Sequence, residues 1–321
     1  MGRLMALGSR IRTGRLVITC AGVAAVCALL AATVAGPTAI EARQTARKKL
    51  LLLTHNTFYN HAGLEAIEAN VPRWGKDGNF EVTSLQGYRQ TLACTIQQPC
   101  DASAVDLSIV TRAYLRQFDA IMFSVNGELP FSDNAKQALL DFVYKDGKGM
   151  VFIHQSMVTN YTWKPWGELL GAYMSGGPLF DSMNQTKRPM TLKIENSTHP
   201  ATRHLPQGWT LHDEFYQFAK KVWDPATPTE NLGPTKHPVP MAFSRDKVHV
   251  LISFESEKTD FTGTPKGWEK GGDYPQAWYQ NFGQGRTFYT SLGHRADLWT
   301  SDPTFKAHIV GALRWALRLE Q

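Results

Sequence analysis

Residues 147–171 read GKGMVFIHQSMVTNYTWKPWGELLG, and this stretch decides the fold. A glycine-containing turn leads into the apolar run Met150–Ile153, and His154 follows where the run ends. A short apolar run bounded by turn residues predicts a buried strand, and Trp166–Leu170, closed by Gly171, predicts a short helix. Ligands of open parallel sheets bind beyond the carboxyl ends of the strands, so the pattern predicts His154 at a binding edge. The alternative is a core histidine whose ring hydrogen bonds to the backbone.

Predicted strands and helices alternate on both sides of this stretch. Further segments are predicted as strands: Lys49–Thr54, Phe80–Leu85, Phe118–Val125, Arg188–Glu195, Val248–Phe254 and Gly285–Leu292. Helical patterns lie between and after them: Leu64 with Ile67 and Val71, the segment from Ser132 to Tyr144, and Asp302–Leu319. This alternation predicts an α/β fold with a mostly parallel sheet, right-handed crossovers and helices on both faces.

The composition limits the class of protein. The chain has 321 residues, of which 43% are hydrophobic and 19% charged, and this suffices for one large α/β domain or two small ones. The formal net charge is +6, but residues 1–42 hold four arginines against one glutamate, which leaves a net charge of +3 for the remainder. No block of Lys and Arg of the kind that follows a phosphate backbone is present, so nucleic acid is not a predicted partner.

The first 42 residues have the pattern of an export signal. Four arginines precede the apolar run Leu16–Gly36, and Thr33-Val34-Ala35 is a candidate cleavage site. We predict a cleaved signal peptide; the alternative is an uncleaved membrane anchor, since about 20 apolar residues can span a bilayer as a helix. Residues 43–47 are predicted to be a short linker and residues 48–321 a folded domain. The protein is therefore predicted to be exported, periplasmic or extracellular, and to touch a membrane only through its N-terminal segment.

Cys94 and Cys100 are the cysteines that remain in the predicted domain. Two cysteines six positions apart in a loop are typical of a local disulfide in an oxidising compartment. Two free thiols in a surface insertion are the alternative. The spacing does not match a zinc-binding pair, and no further cysteine of the domain could complete such a site.

Polar side chains follow the ends of several predicted strands: His55, Asn126, His154 and His294. The carboxyl ends of neighbouring parallel strands meet at one edge of a sheet, so we expect these side chains to converge there, with Asp213-Glu214 from an aromatic loop. Imidazoles and carboxylates together support either general acid–base transfer or metal ligation. The alternatives are a solvated acidic turn at 213–214 and a helix-terminal hydrogen bond for His294.

Several motifs, taken in order, resemble the trehalose-utilisation ThuA-like family. They are GKGMVFIH, WGELLGAY, STHPATRHLP, HDEFYQF, GQGRTFYTSLGH and the closing RWAL helix, and the likeness extends from about Lys48 to Leu319. The resemblance implies the fold of class I glutamine amidotransferases, with a flavodoxin-like sheet. Those enzymes place a cysteine nucleophile in the turn that here reads Ile153-His154-Gln155, so thiol-based glutamine hydrolysis is not expected.

Two positions depart from the pattern of that family. The family often carries an aspartate where Val158 stands and a His-Pro pair where Gly177-Pro178 stands. A metal site or acid–base pair that uses those groups is incomplete in this chain, and the sequence leaves open whether the change abolishes catalysis. The alternative set of site residues is His55, His61, His154, Glu214 and His294.

The resemblance implies carbohydrate metabolism, of disaccharides such as trehalose or their keto derivatives, with hydrolase- or isomerase-type chemistry. The predicted catalytic groups are His154, Glu214 and His294. Polar and aromatic side chains would bind the sugar: His55, Asn126, Asp213, Tyr216 and Trp166. A divalent metal is a candidate cofactor, and its candidate ligands are His55, His61, His154 and His294.

Two other classes of function remain open at this point. One is a non-catalytic sugar-binding module of the cell envelope, and the other is an interaction protein of the envelope. A small-molecule carbohydrate is the expected partner of the enzyme and of the sugar-binding module. The sequence leaves the oligomeric state undetermined.

Overall fold

The computed structural model describes residues 46–61, 63–95, 97–174, 190–262 and 267–321. The predicted signal or anchor segment and Gly177 lie outside the described residues. Within the described ranges, no helix combines the length and the apolar character that a membrane crossing requires.

A mixed sheet forms the centre of the described part of the chain, where it has nine strands in the order β2-β1-β3-β4-β9-β8-β7-β5-β6. The strands are β1 Lys48–Leu53, β2 Phe80–Leu85, β3 Ala120–Phe123, β4 Gly149–Ile153, β5 Met190–Ile194, β6 Thr210–Leu211, β7 His249–Phe254, β8 Pro275–Phe282 and β9 Gly285–Thr290. Pairing is parallel from β2 to β9 and antiparallel from β9 to β6. The predicted parallel sheet is therefore correct for one half only. The residues Gly283-Gln284 join β8 to β9 as a tight hairpin, which requires antiparallel pairing.

The leucines of β1 explain why the sheet has helices on both faces. Leu50 and Leu52 belong to one hydrophobic core, whereas Leu51 and Leu53 belong to the other. Successive side chains of a strand point to opposite faces, so a strand buried on both sides needs apolar residues at every position. This requirement accounts for the continuous apolar run from which the strand is predicted.

Helices cover both faces of the sheet. They are α1 Leu64–Gly78, α2 Arg112–Leu115, α3 Asp133–Tyr144, α4 Lys164–Leu170, α5 Ala296–Ser301 and α6 Pro303–Ala316. The buried residues of α1, α5 and α6 pack in one core, and those of α2, α3 and α4 pack in the other. The side chain of Ser132 caps α3 by accepting a hydrogen bond from the Ala135 N–H, as a predicted N-cap serine should.

The long insertion between β2 and β3 contains the predicted disulfide. Cys94 and Cys100 are bonded to each other, with their Cα atoms 4.9 Å apart. The disulfide prediction is thus confirmed, and the alternative of two free thiols is wrong.

Candidate active site

His154 occupies the turn that follows β4. It is the first residue of a short 3-10 turn, His154–Val158, and its side chain is 0% exposed. Its φ of +40° lies in the left-handed region, which non-glycine residues rarely adopt. Its Nδ1–H donates to the carbonyl of Ser291, which follows β9. A carbonyl can only accept, so Nδ1 carries the proton and Nε2 is the ring atom available to the site.

The carboxylate of Glu214 lies between two imidazoles. Its Oε2 is 2.9 Å from His154 Nε2 and 2.8 Å from His294 Nδ1, and the side chain is 4% exposed. Burial opposes ionisation of this carboxyl, but the close approach of His154 and His294 outweighs burial and holds its pKa well below the usual glutamate range. Glu214 is therefore a buried, ionised carboxylate.

Asp213 fixes the loop that carries His294. Its Oδ2 accepts from the backbone N–H of Gly293 at 2.6 Å, and its Oδ1 accepts from those of His294 at 3.0 Å and Arg295 at 3.3 Å. Gly293 has a φ of +111°, which requires glycine. Burial lowers the pKa of His294, but Glu214 and Asp213 outweigh burial and raise it above its ordinary value. Because both of its oxygens accept from the backbone, Asp213 positions the loop, and its predicted role in sugar binding stays a prediction.

His61 completes the group from the loop between β1 and α1. Its Nε2 lies 3.1 Å from His294 Nδ1 and 4.0 Å from Glu214 Oε2. Burial, together with the two neighbouring histidines, lowers the pKa of His61 well below its ordinary value, so its ring is neutral at neutral pH. One nitrogen or oxygen from each of His61, His154, Glu214 and His294, hereafter the His–Glu cluster, lies within 4.8 Å of every other.

Two tyrosines border the His–Glu cluster. The Tyr216 hydroxyl is 2.8 Å from His154 Nε2 and 3.3 Å from Glu214 Oε2. Tyr59, which the sequence analysis did not select, interacts with the Tyr216 hydroxyl, and its ring centre is 5.5 Å from that of His61. Burial and the Glu214 charge raise the pKa of both tyrosines well above 10.0. Both hydroxyls are therefore protonated and able to donate hydrogen bonds. The position of Tyr59, two residues before His61, is the sequence signal that could have identified it.

His55 lies outside the His–Glu cluster, which corrects its prediction as a metal ligand. His61, six residues further along the same connection, supplies the imidazole that joins the cluster. The backbone of His55 packs against Gly87 instead, where a Cβ would lie 2.5 Å from the His55 Cα. Burial lowers its pKa to about 4, and its Nδ1 has no hydrogen-bond partner among the described residues.

The side chain of Asn126 holds the loop that carries Tyr59 and His61. Its Oδ1 accepts from the N–H groups of Phe58 and Tyr59 at 3.3 Å, and its Nδ2 donates to the Tyr59 carbonyl at 2.9 Å. Asn126 therefore positions this loop, and its predicted role in sugar binding stays a prediction.

Trp166 is a core residue, which corrects its prediction as a sugar-stacking ring. It is 0% exposed, packs edge-to-face on Phe123 and Phe152, and donates its Nε1–H to the carbonyl of Ser156 at 3.1 Å. Neither face of the indole is open to a ligand. Val158 is likewise buried in this core.

The arrangement of the His–Glu cluster permits two kinds of chemistry. A carboxylate paired with imidazoles can move protons, and three imidazole nitrogens with one carboxylate oxygen can hold a metal ion. His294, at 17% exposed, is the member that solvent reaches most easily. The roles predicted for His154, Glu214, His294 and Tyr216 stay predictions.

Comparison with known proteins gives a family and several distant structural relatives. The chain resembles a protein described as ThuA-like from Parabacteroides merdae, with 18% identity over 84% of this chain and 90% of that one, at a TM-score of 0.49. It resembles the cytoplasmic protein STM3548 of Salmonella typhimurium, with 13% identity over 84% and 98% of the two chains, at a TM-score of 0.46. No curated protein matches the chain. Residues 49–316 match the ThuA family, described as trehalose utilisation, and the chain therefore belongs to that family.

Proposed function

We propose that this protein is a carbohydrate-processing enzyme that moves protons on a disaccharide or a keto-sugar at the His–Glu cluster. Membership of the trehalose-utilisation family supports a function related to carbohydrates. The single observation that carries the proposal is the approach of two imidazole nitrogens to within 2.8–2.9 Å of one buried carboxylate oxygen. Such a constellation is typical of general acid–base sites, where the pKa values of the participants are moved far from their ordinary values.

The electrostatics of the cluster support separate roles for its members. The pKa of His294 is raised, that of His61 is lowered, and Glu214 stays ionised. Groups whose pKa values are pushed apart in this way serve as acid and base in one site. In the proposed enzyme, protonated His294 donates a proton to the sugar from the exposed edge of the cluster. The Glu214 carboxylate stabilises the positive charge of the protonated histidine, and His154 Nε2 accepts a proton from the sugar.

The backbone hydrogen bonds that the Asp213 carboxylate accepts favour isomerase-type over hydrolase-type chemistry. Glycoside hydrolysis ordinarily uses two free carboxyl groups on either side of the scissile bond. Glu214 is available in the cluster, but both oxygens of Asp213 accept backbone hydrogen bonds. Proton transfer next to the carbonyl of a keto-sugar needs only one base and one acid, which this cluster can supply.

The experiment is proton NMR of trehalose and of its keto derivative, incubated with the full-length protein in deuterated buffer. We expect deuterium to enter the keto-sugar at the carbon next to its carbonyl. Glu214→Gln should slow this exchange by about 100-fold or more, since it removes the carboxylate that keeps the proton donor His294 protonated, and a positioned acid contributes that much. His249→Ala, which alters an exposed histidine outside the site, is the matched control and should retain the wild-type rate.

A non-catalytic sugar-binding module is the second candidate, and Val158 favours it. This side chain is apolar and buried where related proteins often have a carboxylate, so a catalytic group of the family can be missing here. Calorimetric binding of the disaccharide without exchange or conversion would support this candidate over the enzyme. The absence of both binding and exchange with every sugar tested would reject both.

We also propose that the protein acts outside the cytoplasm. The Cys94–Cys100 disulfide supports this location, because such bonds persist mainly in oxidising compartments. The basic and apolar pattern of the first 42 residues is consistent with the same location.

A further inference from the structure

We infer that the His–Glu cluster binds one divalent transition-metal ion, through His61 Nε2, His154 Nε2, His294 Nδ1 and Glu214 Oε2. This inference rests on the proposed function, since it names the cofactor of the same site. It also changes the expected chemistry, because nitrogens that ligate an ion no longer take up or release protons, and a sugar oxygen would bind and be polarised as a fifth ligand.

The spacing of the four donor atoms matches a tetrahedral ion. Ligands that bind zinc at about 2.0–2.1 Å in a tetrahedron lie roughly 3.3 Å from one another. The Glu214 oxygen is 2.8 Å from His294 Nδ1, 2.9 Å from His154 Nε2 and 4.0 Å from His61 Nε2, and the two histidine nitrogens of His61 and His294 are 3.1 Å apart. All four donors lie within 4.8 Å of one another. Small movements of the side chains would place each at ligand distance from one centre.

The donor atoms also need a shared positive charge. Because Nδ1 of His154 donates to Ser291, its Nε2 presents a lone pair to Glu214 Oε2, which is itself an acceptor. Tyr216 lies close to both atoms but has one proton and can donate to only one of them at a time. His294 Nδ1 likewise faces two partners, Glu214 Oε2 and His61 Nε2. One cation at the centre satisfies all of these lone pairs, whereas protons would have to be placed on several buried rings.

The surroundings of the cluster resemble the outer shell of a metal site. The Ser291 carbonyl orients His154 through its second nitrogen, and the carboxylate of Asp213 fixes the backbone of His294. Such outer-shell partners set the orientation of histidine ligands and raise their basicity. Three imidazoles with one carboxylate suit zinc, cobalt, nickel, iron or copper, and they do not suit magnesium or calcium, which prefer oxygen ligands.

The test uses the full-length protein, freed of metal with a chelator and titrated with Zn²⁺ by calorimetry and with Co²⁺ by visible absorption. We expect one ion per chain and the strong absorption of tetrahedral cobalt. His294→Ala and Glu214→Gln should each weaken Zn²⁺ binding by more than about 100-fold, since even outer-shell changes cost up to this much. His294 is partly exposed, so its alanine variant should keep the wild-type circular dichroism, while His249→Ala should bind Zn²⁺ as the wild type does.

Two results would overturn the inference: failure of the wild type to bind either ion stoichiometrically, and unchanged affinity in both cluster variants. The result also separates this inference from the proposed function. Deuterium exchange of the keto-sugar by a wild-type protein that binds neither ion would reject the metal and leave the enzyme. Stoichiometric metal binding, with no sugar bound or converted, would support the metal and reject the carbohydrate-processing role.

Discussion

The backbone conformation of His154 is the most informative single-residue feature of the site. A left-handed conformation at a non-glycine residue costs about 1–2 kcal/mol, and it persists only where surrounding contacts hold it. In this protein, the hydrogen bond to Ser291 and the contact with Glu214 hold the ring of His154 at the end of β4. Strain of this kind is often found where a side chain must be aimed at a ligand. The same hydrogen bonds make the alternative of a purely structural core histidine testable, because alanine at 154 should then lower stability rather than activity.

His308 should make the protein less stable in acid. Its buried ring in α6 donates from Nδ1 to the Ala201 carbonyl at 2.8 Å, and its Nε2 lies 3.2 Å from the Thr290 hydroxyl. Burial lowers its pKa from 6.5 to about 4, so the unfolded chain takes up the proton first. The stabilisation by neutral His308 is complete above pH 6.5 and is lost as the pH falls toward 4. The loss amounts to about 3 kcal/mol, at ~1.4 kcal/mol per pKa unit.

We therefore expect His308→Gln to show a shallower decrease of the unfolding free energy between pH 6.5 and pH 4. The measurement is urea denaturation at closely spaced pH values. The slope should diminish rather than vanish, because burial also lowers the pKa of His55 to about 4 and that of His199 to about 3. The exposed control His249→Gln should keep the wild-type slope. An unchanged slope in His308→Gln would mean that this ring is not protonated on acid unfolding.

At the scale of elements, loops that are anchored by buried polar side chains assemble the site. Asn126, after β3, holds the loop that carries His61, and Asp213 holds the loop after β9 that carries His294. Each of these anchors satisfies backbone groups that would otherwise be buried without a partner, which ordinarily costs about 1–3 kcal/mol. Asn126 and Asp213 thus fix the loops that present two of the histidines.

The contact between β4 and α6 gives a prediction for the element that carries His154. A Cβ on Gly149, the first residue of β4, would lie 2.3 Å from the carbonyl oxygen of Ala316 at the end of α6. Both atoms belong to the backbone of regular elements, so we expect Gly149→Ala to lower the unfolding free energy by about 2–3 kcal/mol in urea denaturation.

Gly208→Ala provides the comparison for this prediction. A Cβ there has its nearest neighbour at 4.0 Å, but the φ of +70° disfavours alanine, so we expect a loss of about 1 kcal/mol from conformation alone. If Gly149→Ala is no more destabilising than Gly208→Ala, β4 and α6 can separate without penalty and the packing argument fails.

At the scale of the whole molecule, the disulfide and the N-terminal sequence lead to a prediction about processing. We expect the full-length chain, expressed in a bacterium that exports proteins, to appear outside the cytoplasm with a new N terminus after Ala35 and with Cys94 bonded to Cys100. Intact mass spectrometry without reducing agent measures both. Ala35→Arg should block cleavage without affecting the disulfide. An unprocessed chain in the membrane would favour the anchor, and a cytoplasmic chain with free thiols would contradict export.

The sequence by itself determined the features that depend on local pattern. The apolar runs at Lys49–Thr54 and Phe80–Leu85, the capping serine of α3 and the spacing of Cys94 from Cys100 each reappear in the structure. The order of its motifs was enough to indicate the family, which the match over residues 49–316 confirms. Local pattern suffices in these cases because hydrophobic periodicity, capping and short loop closure involve residues that are close along the chain.

Only the tertiary structure decided which side chains meet. Strand β8 reads PQAWYQNF, in which polar residues interrupt the apolar ones, and it is a strand because it forms a hairpin with β9. His55 and His61 are both histidines of the loop that follows β1. Only His61, further along that loop, brings its imidazole close to Glu214. Trp166 and Asn126 are likewise buried by partners far away in the sequence. Strand order and loop path set these distances, and neither is encoded in the spacing of residues along the chain.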